Sequence, residues 1–148
     1  MISVGEATSK DTETIFSLSA ARILDSKTTL EEIKYFINNP DFLILVLKKE
    51  TQVIGYLSFR IEGKEAEIDE LAIATDEENK GYGTMLLSSG LSLLKSKQFT
   101  TVYLDVRENN LKAISLYEKL GFIKYRSRKN YYVTVSAYCY KKELNDER

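Results

Sequence analysis

The chain has 148 residues, 43% hydrophobic and 29% charged, which suits a single soluble domain spanning residues 1–148 around one core. Its 21 basic and 22 acidic side chains leave a formal charge of -1, so no global field draws it to nucleic acid or to an anionic membrane. It has no histidine and one cysteine, Cys139, which excludes Ser/His/Asp and Cys/His catalysis in their usual form, His-based zinc sites and an internal disulfide framework.

No metal site is expected, and acid–base work falls to Asp, Glu, Tyr, Lys, Cys or water. No apolar run reaches the ~18 residues that span a bilayer. Met1 to Val4 has no basic segment leading into a long apolar stretch, so no signal peptide is expected. Together with the single cysteine, this points to a reducing cytoplasm.

In chain order, Ile2 to Ala7 suits a strand. Asp11 to Leu24 reads as a helix with Phe16, Ala20, Ile23 and Leu24 near one face, and Thr29 to Asn38 as a second with Leu30, Ile33, Phe36 and Ile37 at helical spacing. Pro40 closes that helix, because the residue before proline disfavours the α region. Phe42 to Leu47 is a continuous apolar strand. Val53 to Ile61 alternates with period two, and Ala66 to Ala74 forms the third member of an antiparallel meander.

A helix from Gly83 to about Lys97 follows, with small residues Ser88, Ser89 and Gly90 permitting close contact with the sheet. Thr101 to Val106 is a strand, and Asn110 to Leu120 a helix whose Ala113, Leu116, Tyr117 and Leu120 share a face. Phe122 to about Arg128 and Tyr131 to Tyr140 form a last strand pair. In the second of these, Tyr131, Val133, Val135, Ala137 and Cys139 make the inward face, and Tyr132, Thr134, Ser136, Tyr138 and Tyr140 the more polar one. Cys139 then reads as a small core residue rather than a nucleophile. The expected architecture is α/β (α+β): one mixed, mostly antiparallel sheet of about seven strands with about four helices packed on it.

Chemistry concentrates where the third meander strand meets the long helix, at Glu70 to Gly83. A helix start leaves about four N–H groups unpartnered and carries roughly half a positive charge. An anionic phosphate satisfies both. Gly81 and Gly83 remove the Cβ atoms that would hold a phosphate away, and Lys80 offers a cation. Leu86 stands where a third glycine of the dinucleotide fingerprint would fall, and the nucleotide P-loop's Gly-Lys-Ser/Thr is missing.

This junction, with Leu104 to Asn110 and then Ala113-Ile114-Ser115-Leu116-Tyr117-Glu118-Lys119-Leu120-Gly121-Phe122, resembles the GNAT family of acetyl-CoA-dependent N-acetyltransferases. The resemblance covers roughly residues 42 to 140. It is finer toward the bacterial RimI-like branch, which acetylates an N-terminal alanine of ribosomal proteins, because Arg126 to Tyr132 resembles that branch's final hairpin. The resemblance implies direct acetyl transfer from acetyl-CoA to a protein N-terminal α-amine in a ternary complex. Alternatives are a small amine, polyamine or lysine acceptor, or a CoA-binding regulatory domain without turnover. A monomer or weak dimer is expected, without nucleic acid or membrane partners.

Carried over residue by residue, the resemblance assigns the diphosphate to main-chain groups of Asn79, Lys80, Gly81, Tyr82, Gly83 and Thr84, with Glu78 beside them in the cofactor-binding loop. Main-chain groups of Leu71 and Ile73 would pair with the pantetheine arm as an added strand edge, with Ala72 between them in the cofactor-binding stretch and Asn110 helping to hold the cofactor. The family pattern Gln/Arg-x-x-Gly-x-Gly/Ala has Glu78 at its first position here, and a carboxylate near diphosphate costs roughly a kcal/mol. Tyr117 takes the general-acid position and also counts as cofactor-binding. Asp105 takes the base position, usually Glu, with a water bridging the missing methylene. Glu70 competes for that role, and Asp69 is expected on the opposite face from it. Tyr131 and Tyr132, with the Ser26 to Thr29 loop, would line the acceptor groove.

Overall fold

The computed structural model describes residues 1–22, 27–132 and 135–144. Among these, seven strands form one sheet: β1 (Ile2–Glu6), β2 (Phe42–Lys49), β3 (Gln52–Glu62), β4 (Glu65–Ile73), β5 (Thr101–Arg107), β6 (Ile123–Tyr132) and β7 (Val135–Glu143). Four α-helices pack on it: α1 (Thr12–Arg22), α2 (Leu30–Ile37), α3 (Tyr82–Ser96) and α4 (Leu111–Lys119). The spatial order is β1-β2-β3-β4-β5-β7-β6. Every neighbouring pair is antiparallel except β4 with β5. This is the expected architecture.

Helices cover both faces. Leu45 and Leu47 of β2 enter the core shared with Leu86, Leu91 and Leu94 of α3 and Tyr117 of α4. Ile44 and Val46 enter a second core with Ile15, Leu18 and Ile33 of α1 and α2. A strand buried on both sides reads as an unbroken apolar run, which is why 42 to 47 shows no alternation. Gly90 lets α3 close on the sheet: a Cβ there would stand 2.8 Å from Leu57 Cδ2 and 3.1 Å from the Phe59 ring. At the start of α2 a capping box joins Thr29 and Glu32, each side chain accepting from the other's backbone N–H.

Three expectations change. First, β4 carries a bulge: Ser58 faces Glu70 while Phe59 faces Ile68, leaving Asp69 as the extra residue. The bulge resets the alternation, so Asp69 and Glu70 line one cavity together instead of facing opposite ways. Second, Tyr131 and Tyr132 end β6 rather than beginning the next strand, and Tyr132 pairs with Val135. A register shift between Arg128 and Tyr132 absorbs the extra length that a turn at Lys129-Asn130 would have needed. Third, Tyr140 belongs to the α3/α4 core and is 2% exposed, while Cys139, fully buried, faces Asp105. Hydroxyls make the tyrosine-bearing face look polar in sequence, yet the ring governs burial once Glu118 accepts the Tyr140 hydroxyl at 2.6 Å. The expectations for Ile23, Leu24, Ser26, Val133 and Thr134 lie outside the described residues.

Candidate active site

The parallel pairing of β4 with β5 is short, running only from Glu65–Glu67 against Thr101–Tyr103. Beyond it the two strands separate while β4 continues to Ile73 and β5 to Arg107. Ala74 N–H donates to the Ile54 carbonyl at 2.8 Å. By the two-residue period, Ala72 also turns its main chain to β3, and Leu71 and Ile73 turn theirs toward the gap.

The chain then passes through a 3-10 turn at Thr75–Glu77 into α3. Asn79 (φ 63°) and Gly81 (φ 84°) take left-handed conformations there. A Cβ at Gly81 would meet nothing within 4 Å, so the glycine serves backbone freedom rather than packing. Gly81 offers α3 no side-chain cap, and the helix's opening bond runs from Met85 N–H to the Gly81 carbonyl. The amides of Tyr82, Gly83 and Thr84 therefore lie ahead of it, where a helix start attracts anions.

Strand edge, turn, helix start and α4 enclose a cavity of about 400 Å³. Its lining includes Leu71, Ala72, Ile73, Glu78, Asn79, Gly81, Tyr82, Gly83, Thr84, Asn110 and Tyr117, eleven of the residues assigned to the cofactor from sequence. Lys80 is the exception: its ammonium turns to Glu77 Oε1 at 3.2 Å, the carboxylate three residues before it. The Asn110 side chain caps α4 by accepting from Ala113 N–H at 3.2 Å.

Sequence reasoning missed Arg22, Lys112 and Lys119 in this lining. Lys112 donates to Asn79 Oδ1 at 3.0 Å. Its signal was its place two residues after the Asn110 cap. Arg22 forms an ion pair with Glu78, so the carboxylate expected to repel a diphosphate is neutralised locally. Glu77 is held below the usual carboxylate range by the Lys80 hydrogen bond, with Lys49 adding.

Tyr117 is 8% exposed, and its ring meets Phe122 edge-on at 5.7 Å. Burial, then Tyr132, pushes its hydroxyl up to about 12. Tyr132 is itself pushed up by burial, then by the Asp105 carboxylate, and Arg107 stacks 4.3 Å over its ring. Tyr131 is 51% exposed and contacts Tyr132 edge-on at 5.0 Å.

The two candidate bases occupy different cavities on the opposite face. Asp105 lies with Glu67, Tyr103, Tyr125 and Arg128 around about 200 Å³. Arg128 Nη1 stands 3.9 Å from its Oδ2. Burial pushes the Cys139 thiol up, and a hydrogen bond with Asp105 adds to this, so the cysteine is no thiolate nucleophile. Glu70 lies with Asp69, Tyr56 and Arg60 around about 250 Å³, and Thr28 of the expected loop joins that lining. Glu70 Oε1 accepts from the Tyr56 hydroxyl and from Ser19. Burial pushes both Glu67 and Asp69 above the usual carboxylate range. Among the described residues no cluster of His, Cys, Asp and Glu is arranged to hold a metal ion, and no helix is long and apolar enough to cross a membrane.

The profile of the acetyltransferase (GNAT) family matches residues 10–122. A ribosomal protein bS18-alanine N-acetyltransferase of Salmonella typhimurium is 32% identical over 97 residues, 66% of each chain. The Haemophilus influenzae protein of the same name is 38% identical over 91 residues, 62% of each chain. The matches thus span just under two thirds of those curated relatives. The crystal structure of the ribosomal-protein-S18-alanine N-acetyltransferase from Escherichia coli superposes with a TM-score of 0.91 at 20% identity, covering 100% of this chain and 97% of that one, which speaks for the fold. With more than half of its length matched by the family profile, the chain belongs to the GNAT family of acetyltransferases.

Proposed function

We propose that residues 1–148 form one cytoplasmic N-acetyltransferase domain that acetylates a protein N-terminal α-amine, of the ribosomal-protein-alanine kind, by direct transfer in a ternary complex. The observation that carries the reading is the single cavity in which an open strand edge, an uncapped helix start and a buried tyrosine meet. The names of the Salmonella and Haemophilus relatives support the acceptor class.

Acetyl-CoA supplies the acetyl group as an activated thioester. The amides from Asn79 to Thr84 would hold its diphosphate, with Lys112 and Lys119 as cations on the same wall. Leu71 would offer main-chain groups, and Ile73 its N–H, to the pantetheine amides as an added strand does, the Ile73 carbonyl being held by Arg22. Tyr117, protonated at any physiological pH, would deliver a proton to the departing sulfur as the new C–N bond forms and the C–S bond breaks.

The amine's proton goes to a carboxylate on the other face. Asp105 is favoured, through a water: it stands at the position of the family's base and lines a cavity of its own beside Arg128. Glu70 already accepts from Tyr56 and Ser19, which suits shaping the acceptor cavity. An α-amine, with pKa ~7.7–8.0, is appreciably neutral near pH 7.4, whereas a lysine at ~10.4 is ~0.1% neutral. A base working through water fits the α-amine. A domain without turnover is disfavoured: Arg22 pairs Glu78, the residue that departs from the family pattern, and Asn79 supplies a left-handed turn in the cradle.

The test is thiol release from acetyl-CoA with peptides bearing N-terminal alanine, lysine peptides with blocked N-termini, and small amines. Turnover confined to the alanine peptides is expected. Turnover only on small amines sinks the acceptor class, and no thermal shift with CoA sinks the cofactor reading.

A further inference from the structure

Arg22 is the last residue of α1, far in sequence from the strand–helix junction, yet all its nitrogens end there. Nε donates to the Ile73 carbonyl at 3.1 Å, Nη1 donates to Thr75 Oγ1 at 3.1 Å, and Nη2 pairs with Glu78. The three partners are the end of β4, the 3-10 turn and the residue just before the left-handed Asn79. Arg22 and Glu78 are 29% and 27% exposed, so the pair is shielded enough to hold a geometry. A planar fork that fills three acceptors fixes their spacing, which a lysine's point charge does not. The Ile73 carbonyl, which the gap would otherwise present to a ligand, is taken by this fork.

We propose that Arg22 is a positioning residue for the diphosphate cradle: with Glu78 as its anchor, it clamps the strand end to the turn so that the amides from Asn79 to Thr84 converge on one anion. Glu78, out of place by the family pattern, then belongs to the clamp instead of opposing the ligand. The inference rests on the cofactor reading above. It differs from a role in which Arg22 itself contacts phosphate, because that role requires the Glu78 pair to open.

The two roles predict opposite effects for Glu78→Gln. Calorimetric titration with CoA, alongside acetyl-CoA kinetics, separates them. Under the clamp, Arg22→Ala weakens CoA binding and raises the acetyl-CoA KM by about tenfold, the scale of one or two charge-assisted hydrogen bonds, with kcat within about threefold. Glu78→Gln weakens binding in the same direction, Arg22→Lys does not rescue it, and the double variant is no worse than Arg22→Ala. Tighter CoA binding by Glu78→Gln, additive losses in the double variant, or wild-type affinity in Arg22→Ala overturns the proposal. So does a loss of melting temperature and kcat with the CoA affinity unchanged. If Arg22→Ala does not fold, Thr75→Val and Glu78→Gln keep the arginine and carry the test: weaker CoA binding in both supports the clamp, and unchanged or tighter binding overturns it. A wild-type protein that does not bind CoA overturns the cofactor reading itself, a result visible before any variant is made.

Discussion

The two faces of the sheet around the β4–β5 gap are built differently. On the α3/α4 face, main-chain groups do the work, with an open strand edge, two left-handed residues and a helix start around one cavity of about 400 Å³. On the α1/α2 face, side chains dominate, with Glu67, Asp69, Glu70 and Asp105 shared between two smaller cavities and countered by Arg60 and Arg128. Backbone amides bind an invariant anion whatever the surrounding side chains are. Carboxylates in partial burial are adjustable, and suit the side of an enzyme that differs from one acceptor to the next.

Tyr117 is buried in the wall of the larger cavity, and changing it tests the division most severely. Tyr117→Phe is expected to lower kcat by about 10²–10³-fold, the usual worth of a positioned general acid, while CoA affinity stays within about twofold. With its hydroxyl held near 12, Tyr117 gives no alkaline limb in the pH–rate profile below about pH 11. A limb near pH 9 that vanished in the phenylalanine variant would mean that the hydroxyl ionises far lower than its burial implies, and wild-type kcat in that variant would remove Tyr117 from the general-acid role.

The next comparison sets the two carboxylates against each other. Asp105→Asn should lower kcat by about 10²-fold, and by less as the pH rises and the amine loses its own proton. Glu70→Gln should cost under about threefold in kcat and raise the acceptor KM, because its hydrogen bonds to Tyr56 and Ser19 shape the cavity. The reverse ranking transfers the base role to Glu70.

Legibility in the sequence follows the same division. Gly81 announces a left-handed turn before a helix, and conformation is local, so the cradle can be read almost residue by residue. Lys80 cannot be assigned that way, because the choice between a phosphate and Glu77 depends on where a flexible side chain turns. Arg22 is invisible as a site residue, since nothing local to α1 says that the helix ends beside Thr75 and Glu78. Strict alternation separates Asp69 from Glu70, and only the pairing with β3 reveals the bulge that reunites them. Tyr131 and Tyr132 fall one strand late in the sequence reading because a polar Lys129-Asn130 pair resembles a turn, whereas β6 carries through it.

A stability test checks that the first face is packing-limited. Gly90→Ala places a methyl 2.8 Å from Leu57 Cδ2 and 3.1 Å from the Phe59 ring, and both are fully buried. Neither side chain can retreat without disturbing the core, so the cost is about 1–3 kcal/mol. At this chain length each kcal/mol lowers the melting temperature by about 2–4 °C. Calorimetry should show the loss, with CoA affinity at low temperature retained. An unchanged melting temperature would mean that α3 rides on the sheet more loosely than its glycine implies.

The smallest effect belongs to the second face. Burial pushes Asp69 above the usual carboxylate range despite Arg60 Nη2 at 3.4 Å, so desolvation outweighs the ion pair. A folded-state value above the unfolded one means that the folded protein binds more protons across that interval. Stability from Asp69 is therefore fully present below its unfolded value of ~3.9 and is lost as pH rises through the folded value. At neutral pH the ionised carboxylate costs stability, and Asp69→Asn recovers part of it, offset by the lost Arg60 contact. The expected gain is about 1–2 °C in melting temperature at pH 7, shrinking toward zero near pH 4. Salt should reduce the gain little, since the cause is burial rather than exposed charge. A variant that instead melts lower at pH 7 than at pH 4, relative to wild type, would make the Arg60–Asp69 pair a net support. The acidic face would then be held together by its charges rather than strained by them.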